Sequence, residues 1–488
     1  MSSRRRLRAF KRWMTSYQIE YSPSLNLIDF GIHQGISILT LIDLHEGDVI
    51  AKIPKNACLT VKTSQARDMI EEAGLGGSLS LAVAVMYEKS FKEGSMWDGY
   101  LQVLPERECV PLCWTLDEVE LYLVGTELYQ IIKEDKALMY EDWKECILPL
   151  LAENLELDQK YFGAEQYFAA RSLVSSRSFE IDEYHGYGMV PLADLFNHKT
   201  GAEHVHITNI SSPDSGSDDD SDVDDGEYQN NHSEKPFIED QKISNETDAL
   251  KSKEMDLSLN PEEDSGSLEM IIVKGAKSGE EVFNTYGTMG NAALLHRYGF
   301  TEPDNSYDIV NIELNMVLDW SSTLFSSRHN RSRLSLWRRI GYSGCVSQSS
   351  EYFEIESDGE PQFELLILLY IIFLPDQVYE NLNHTVPSNG NIDLLDKNTK
   401  RIPLETPNMA KSYLLTDDIC NALVSLADIR EVSYGKNSLN DDMKLLSNCS
   451  IQDRKLYHSL VLRVSERKIL KNLRNYGKKK AFVRKCRR

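Results

Sequence analysis

The stretch that limits the fold most is one that no core can use. Between Ser211 and Ser267 the chain carries 18 Asp or Glu against 4 Lys, centred on Asp214-Ser-Gly-Ser-Asp-Asp-Asp-Ser-Asp-Val-Asp-Asp-Gly-Glu227. A segment this charged and this poor in apolar residues cannot bury enough surface to offset the entropy of ordering it. It is expected to be a disordered loop. Val205-His-Ile207 on one side and Met270-Ile-Ile-Val273 on the other read as strands. The loop therefore joins two strands expected to be neighbours, since closure entropy rises only logarithmically with loop length.

With that segment set apart, 488 residues suggest two or three packed units. The formal net charge of -23 shrinks as well, because -14 of it lies between Ser211 and Ser267. Basic residues gather at the ends: Arg4, Arg5, Arg6, Arg8, Lys11 and Arg12, then Lys478, Lys479, Lys480, Arg484, Lys485, Arg487 and Arg488. Residues 1–19 and 478–488 are read as basic tails, the only parts expected to touch nucleic acid.

The longest apolar run, Leu365 to Leu374, stops at Pro375 and is about half of what a membrane-spanning helix needs. No membrane association is expected. Eight cysteines without a C-x-x-C pair argue against a zinc site or a disulfide framework. The basic start leads into Trp13-Met-Thr-Ser rather than an apolar run, unlike a secretory signal. The expectation is a monomer in a reducing compartment, nucleus or cytoplasm, with no metal.

Ile36 to Pro54 reads as a hairpin around Glu46-Gly47-Asp48, and Met270 to Asn284 as a second one around Lys277-Ser-Gly279. Between them the pattern turns helical. Thr115-Leu-Asp-Glu118 is a capping box, and further helices are expected from Asp142 to Leu157 and from Ala164 to Ser176. Beyond residue 305 the periodicity is helical throughout, over Glu364–Leu374, Thr416–Ala427 and Ser438–Gly477.

Phosphate-loop, H-E-x-x-H, G-x-S-x-G and dinucleotide G-x-G-x-x-G patterns are all absent. Two clusters remain. Asp194-Leu-Phe-Asn197-His198 ends an apolar run with three polar side chains in five residues, either a satisfied structural turn or a site. Phe283-Asn284-Thr-Tyr286-Gly287 is followed by Asn291, Tyr298, Gly299 and Phe300, aromatics that by default belong to a core.

Together the two clusters resemble the SET-domain protein lysine methyltransferases, in the branch of the Rubisco large-subunit and ribosomal lysine methyltransferases. The resemblance implies an α+β fold: a split SET domain of short β-sheets over 20–304, with a helical insertion at about 65–180 and the acidic loop at 211–267. An all-α substrate-binding domain would follow over 305–477. It implies S-adenosyl-L-methionine as cofactor, held by Gly35, Ile36, Ser37, Arg177, Asp194, Asn197, His198 and Tyr298. Tyr286 is implied as the catalytic residue, with Tyr286 and Phe300 lining the lysine channel. The first cofactor loop departs from the family's G-x-G, because Ser37 stands where the second glycine is usual. The implied activity is lysine N-methylation of a non-histone protein, such as a ribosomal or other basic one. The alternatives are a catalytically weak SET-fold binding module and a protein-histidine methyltransferase.

Overall fold

The computed structural model describes residues 3–31, 35–91, 94–155, 157–210, 266–347, 350–385, 411 and 414–487. They fall into two compact units: residues 1–107 with 143–285, and residues 108–142 with 286–488. The fold is α+β. The expected disordered stretch lies outside the described residues, apart from Gly266 and Ser267.

The described residues of the first unit hold nine strands: β1 (Glu20–Tyr21), β2 (Leu25–Asp29), β3 (Ile36–Thr40), β4 (Val49–Pro54), β5 (Leu59–Thr60), β6 (Ser178–Asp182), β7 (Gly186–Met189), β8 (Val205–Ile210) and β9 (Ser267–Ile272). They make three antiparallel sheets, ordered β1-β4-β9-β8, β2-β3 and β5-β7-β6. Alternate residues are buried, Leu25 and Leu27, Ile36 and Ile38, and Leu268, Met270 and Ile272, as expected of strands with one face on a core. The strands on either side of the acidic segment are neighbours: β8 and β9 pair along their whole length, with Ile210 opposite Ser267.

Both expected hairpins are absent. β3 pairs with β2 and β4 pairs with β1 and β9, while Glu281 and Asn284 make only isolated bridges, to Leu39 and to His198 and Val205. A strand's periodicity marks the strand but does not name its partner. The basic start is not a tail either. Ser3–Ser16 is a helix that buries Phe10, Trp13 and Met14, at helical spacing, beneath its arginines.

In the second unit the capping box forms as read: Glu118 N donates to Thr115 Oγ1 at 3.2 Å, and Thr115 N to Glu118 Oε2 at 2.9 Å. The helix it starts, Leu116–Leu123, packs Val119 and Leu123 with Leu128, Ile132, Leu295 and Leu462. Part of the expected insertion thus belongs with the C-terminal residues. The helix expected over Asp142–Leu157 is instead the end of Leu128–Asp142, a π-turn at Trp143–Ile147 and a short helix Leu148–Glu153.

The C-terminal half is mainly helical but not all-α. It contains a sheet of β10 (Val310–Glu313), β11 (Cys345–Val346) and β12 (Glu351–Ile355), ordered β10-β12-β11. Val310, Ile312, Phe353 and Ile355 from that sheet share one core with Leu336, Trp337 and the buried helix Phe363–Ile372. The helix expected over Ser438–Gly477 is two, Leu439–Asn448 and Arg454–Arg487, and the second runs through the residues read as a basic tail. No single helix among the described residues is long and apolar enough to cross a membrane.

Charged groups inside this unit are satisfied in chains. Arg430 donates to Glu127 Oε1 at 2.9 Å and to Gly125 O at 2.7 Å, and Glu127 N donates to Glu466 Oε1 at 3.1 Å. Tyr434 OH donates to Glu466 Oε2 at 2.7 Å. Burial, together with the nearby Glu127 carboxylate, pushes Glu466 up to about 8.

Candidate active site

In the first unit the candidate residues gather where the run Gly188–Ala193 ends. Leu192, buried, holds φ 77 and ψ -49, a backbone state rare for a bulky side chain, and so turns the chain sharply into the short 3-10 helix Ala193–Leu195. Asp194 is buried there. Its Oδ2 accepts from Tyr100 OH at 2.8 Å and lies 3.7 Å from Arg177 Nη1, which donates to the Asp194 carbonyl at 2.8 Å. Arg177 closes the helix Ala164–Arg177 and there meets Asp194.

Three residues later Asn197 is exposed, and its amide reaches β3. Asn197 Nδ2 donates to Glu281 Oε1 at 2.7 Å and lies 3.3 Å from Ser37 Oγ and 3.4 Å from Ile36 O. The main chain then meets the second motif. Asn284 N donates to Asn197 O at 2.8 Å, and His198 and Asn284 form a parallel bridge. His198 and Asn284 are both buried. His204 supports this crossing: its N donates to Phe283 O at 3.0 Å, and its Nδ1 accepts from Phe283 N at 3.1 Å. Burial lowers the His204 pKa, consistent with a ring nitrogen that must stay unprotonated to accept.

The beginning of β3 lies beside these residues. Gly35 has φ +74, its N donates to Gly31 O at 2.8 Å and its O accepts from Phe30 N at 3.0 Å, so the left-handed backbone there favours glycine. Ser37 lies opposite Ile28 in the β2–β3 ladder and has no positive φ. The departure from G-x-G thus falls on extended backbone, where glycine's freedom is not needed.

The second unit holds the aromatics. Tyr286 and Tyr298 stack with ring centroids 4.2 Å apart and planes 21° apart, and Phe300 stands 6.4 Å from the first and 6.3 Å from the second. All three are half-buried. Tyr298 ends the helix Asn291–Tyr298, and burial raises its phenol pKa. Gly299 then caps the helix at φ 75, and a Cβ there would come within 2.8 Å of the Cys109 carbonyl carbon. Left-handed backbone and close approach both demand glycine between the two aromatic residues. At the helix start Asn291, fully buried, donates through Nδ2 to Asp308 Oδ2 at 2.7 Å and to Glu302 O at 2.8 Å.

The structure thus brings Ile36, Ser37, Arg177, Asp194, Asn197 and His198 together in one unit with Gly35 at its edge, and Tyr286, Tyr298 and Phe300 in the other. Glu281, Tyr100 and His204 were not anticipated. Only Glu281 had a signal, a carboxylate two residues before Phe283. Among the described residues no group of His, Cys, Asp and Glu could hold a metal ion.

No family model matches the chain. It is similar to Ribosomal lysine N-methyltransferase 3 of Saccharomyces cerevisiae, 25% identical over 384 residues that cover 68% of each chain. It is also similar to N-lysine methyltransferase setd6 of Danio rerio, 23% identical over 399 residues, 77% of this chain and 75% of that one. Among solved structures, the SET domain of LSMT bound to lysine and AdoHcy aligns over 99% of this chain and 93% of its own, at a TM-score of 0.62 and 18% identity. Rubisco LSMT bound to AdoMet aligns over 98% and 92%, at a TM-score of 0.60 and 17% identity.

Proposed function

We propose that this chain, which has the SET-domain fold of the Rubisco large-subunit methyltransferase branch, is an S-adenosylmethionine-dependent protein-lysine N-methyltransferase. The observation that carries the reading is the crossing of two motifs far apart in sequence, Asn284 N on Asn197 O beside the His198–Asn284 bridge.

The residues of the first unit fit the cofactor. Asn197 presents an exposed amide held on the Glu281 carboxylate, and Arg177, whose Nη1 rests on the Asp194 carbonyl, carries a guanidinium fork of the kind that suits the cofactor carboxylate. Asp194 braces the turn, Ile36, Ser37 and His198 offer main-chain groups, and Gly35 brings no side chain to block them. When bound, the cofactor would supply a methyl group on a sulfonium; a neutral lysine amine would bond to that methyl carbon as the carbon–sulfur bond breaks, leaving a neutral thioether and a methylammonium.

The aromatic residues do the rest. Tyr286, Tyr298 and Phe300 exclude water, and a lysine entering such surroundings loses its proton more readily than its ordinary pKa of about 10.4 implies. Their π faces attract an ammonium or methylammonium by about 0.5 to 2 kcal/mol. The Tyr286 hydroxyl accepts from the amine and aims its lone pair, so catalysis is mainly alignment. The substrate on this reading is a lysine-bearing protein, ribosomal or otherwise basic, met in the nucleus or cytoplasm.

The test is transfer of labelled methyl groups from S-adenosylmethionine to a ribosomal protein fraction by the purified full-length chain, with the labelled residue identified by mass spectrometry. Label on lysine supports the reading and label on histidine replaces the acceptor. Saturable cofactor binding with no transfer to any fraction leaves a binding module instead.

A further inference from the structure

The N-terminal helix Ser3–Ser16 touches the cofactor half of the site at two places. At the first, Arg6 grips Asp29 from both sides of its guanidinium: Nε to Oδ2 at 3.1 Å, and Nη2 to Oδ1 at 2.8 Å and to Oδ2 at 2.9 Å. The Asp29 side chain is 2% exposed, so this pair is shielded from water. Asp29 is the last residue of β2 and stands opposite Ile36, the first of β3. Its Oδ1 also accepts from Gly31 N at 2.9 Å. Gly31 O in turn accepts from Gly35 N at 2.8 Å, and Phe30 N donates to Gly35 O at 3.0 Å. The Asp29 carboxylate therefore holds Gly31, and Gly31 in turn holds Gly35, the residue before Ile36 and Ser37.

At the second place, Phe10 and Trp13 of the same helix lie with ring centroids 6.2 and 5.9 Å from Tyr100. Trp13 Nε1 donates to Met96 O at 2.7 Å, which ties the indole to the segment leading into the helix Asp98–Leu101. Tyr100 is fully buried, and its hydroxyl donates to Asp194.

We propose that the N-terminal helix is a brace for the cofactor-binding residues, with Arg6 as a positioning residue that acts through Asp29 and Gly31 on Gly35. The proposal rests on the cofactor reading given above. Arginine is needed because its planar fork occupies both carboxylate oxygens while leaving Oδ1 able to accept from Gly31. Without it the buried carboxylate lacks its countercharge and turns toward water, drawing Gly31 with it. Sequence alone presented Arg6 as one of six basic residues on a tail, indistinguishable from its neighbours.

Calorimetric titration of the full-length chain with S-adenosylmethionine tests this, alongside steady-state kinetics and thermal melts. For Arg6→Ala the expected result is a dissociation constant and a cofactor KM about ten-fold higher. The protein-substrate KM and the kcat at saturating cofactor should stay within about two-fold, and Arg6→Lys should fall between wild type and alanine. A purely structural role would lower the melting temperature and the active fraction without that split. Equal cofactor affinity in wild type and Arg6→Ala overturns the brace, as does a loss of kcat that saturating cofactor does not restore. If Arg6→Ala gives no cooperative melt, Arg6→Gln is read by the same criteria. Failure of the wild type to bind cofactor overturns the functional reading itself, and the brace with it.

Discussion

Tyr286 and Tyr298 lie face to face, 4.2 Å between ring centres, a stack that phenylalanine can make as well as tyrosine. Removing the Tyr286 hydroxyl should therefore leave the packing alone. For Tyr286→Phe we expect methyl transfer to drop by about 100-fold or more, with the cofactor KM and the melting temperature unchanged. Scintillation counting of transferred label measures the first, and differential scanning fluorimetry the last.

Tyr100 is a neutral donor, because burial first and the Asp194 carboxylate second hold its phenol well above the ordinary range. Tyr100→Phe deletes the 2.8 Å bond to Asp194 and leaves that oxygen with one partner fewer. The expected loss is about 1 to 3 kcal/mol of stability, seen as a lower urea midpoint, together with weaker cofactor binding.

His458 accepts from Thr301 N at 3.1 Å through Nδ1, just past Phe300, and burial with help from Arg454 holds it down to about 4. An unfolded histidine titrates near 6.5. Between those values the unfolded chain binds a proton that the folded chain refuses, so this group makes stability fall as pH drops from about 6.5 toward 4. The full effect is about 3 kcal/mol. Urea midpoints measured across that window should decline, and His458→Asn should flatten the decline.

Ser37→Gly would restore the family's usual first loop, yet we expect no tighter cofactor binding. Ser37 sits in extended, paired strand, where glycine adds freedom to the unfolded chain and removes the 3.3 Å contact of Ser37 Oγ with Asn197 Nδ2, while the 2.7 Å bond from Asn197 to Glu281 stays. The substitution should cost about 0.5 to 1 kcal/mol of stability, and calorimetry should place its cofactor affinity within about two-fold of wild type.

Features written in a few consecutive residues were legible in the sequence. The capping box at Thr115–Glu118, the helix from Ala164, and the two polar-aromatic clusters all depend on local spacing. So did the neighbourhood of β8 and β9, because apolar strand patterns on both sides of an unusable segment leave few other arrangements. What failed depended on partners. β3 and β4 were read as each other's mates because a turn lies between them, whereas the ladder bonds go to β2, β1 and β9. Tyr100 and Glu281 reach Asp194 and Asn197 from far along the chain, and no spacing announces such bonds. The N-terminal helix was missed for another reason. Its arginines dominated the composition while Phe10, Trp13 and Met14, three and four residues apart, carried the helical period.

The ion pair between Glu127 and Arg430 joins residues separated by 303 positions. During synthesis Glu127 leaves the ribosome long before its partner exists. At about 5 to 20 residues per second the wait is roughly 15 to 60 s. Through more than half of that interval Val119, Leu123 and Ile132 lack Leu295, and through all of it they lack Leu462. That core of the second unit can therefore close only once Leu462 has been made, and until then the apolar face of these helices waits uncovered.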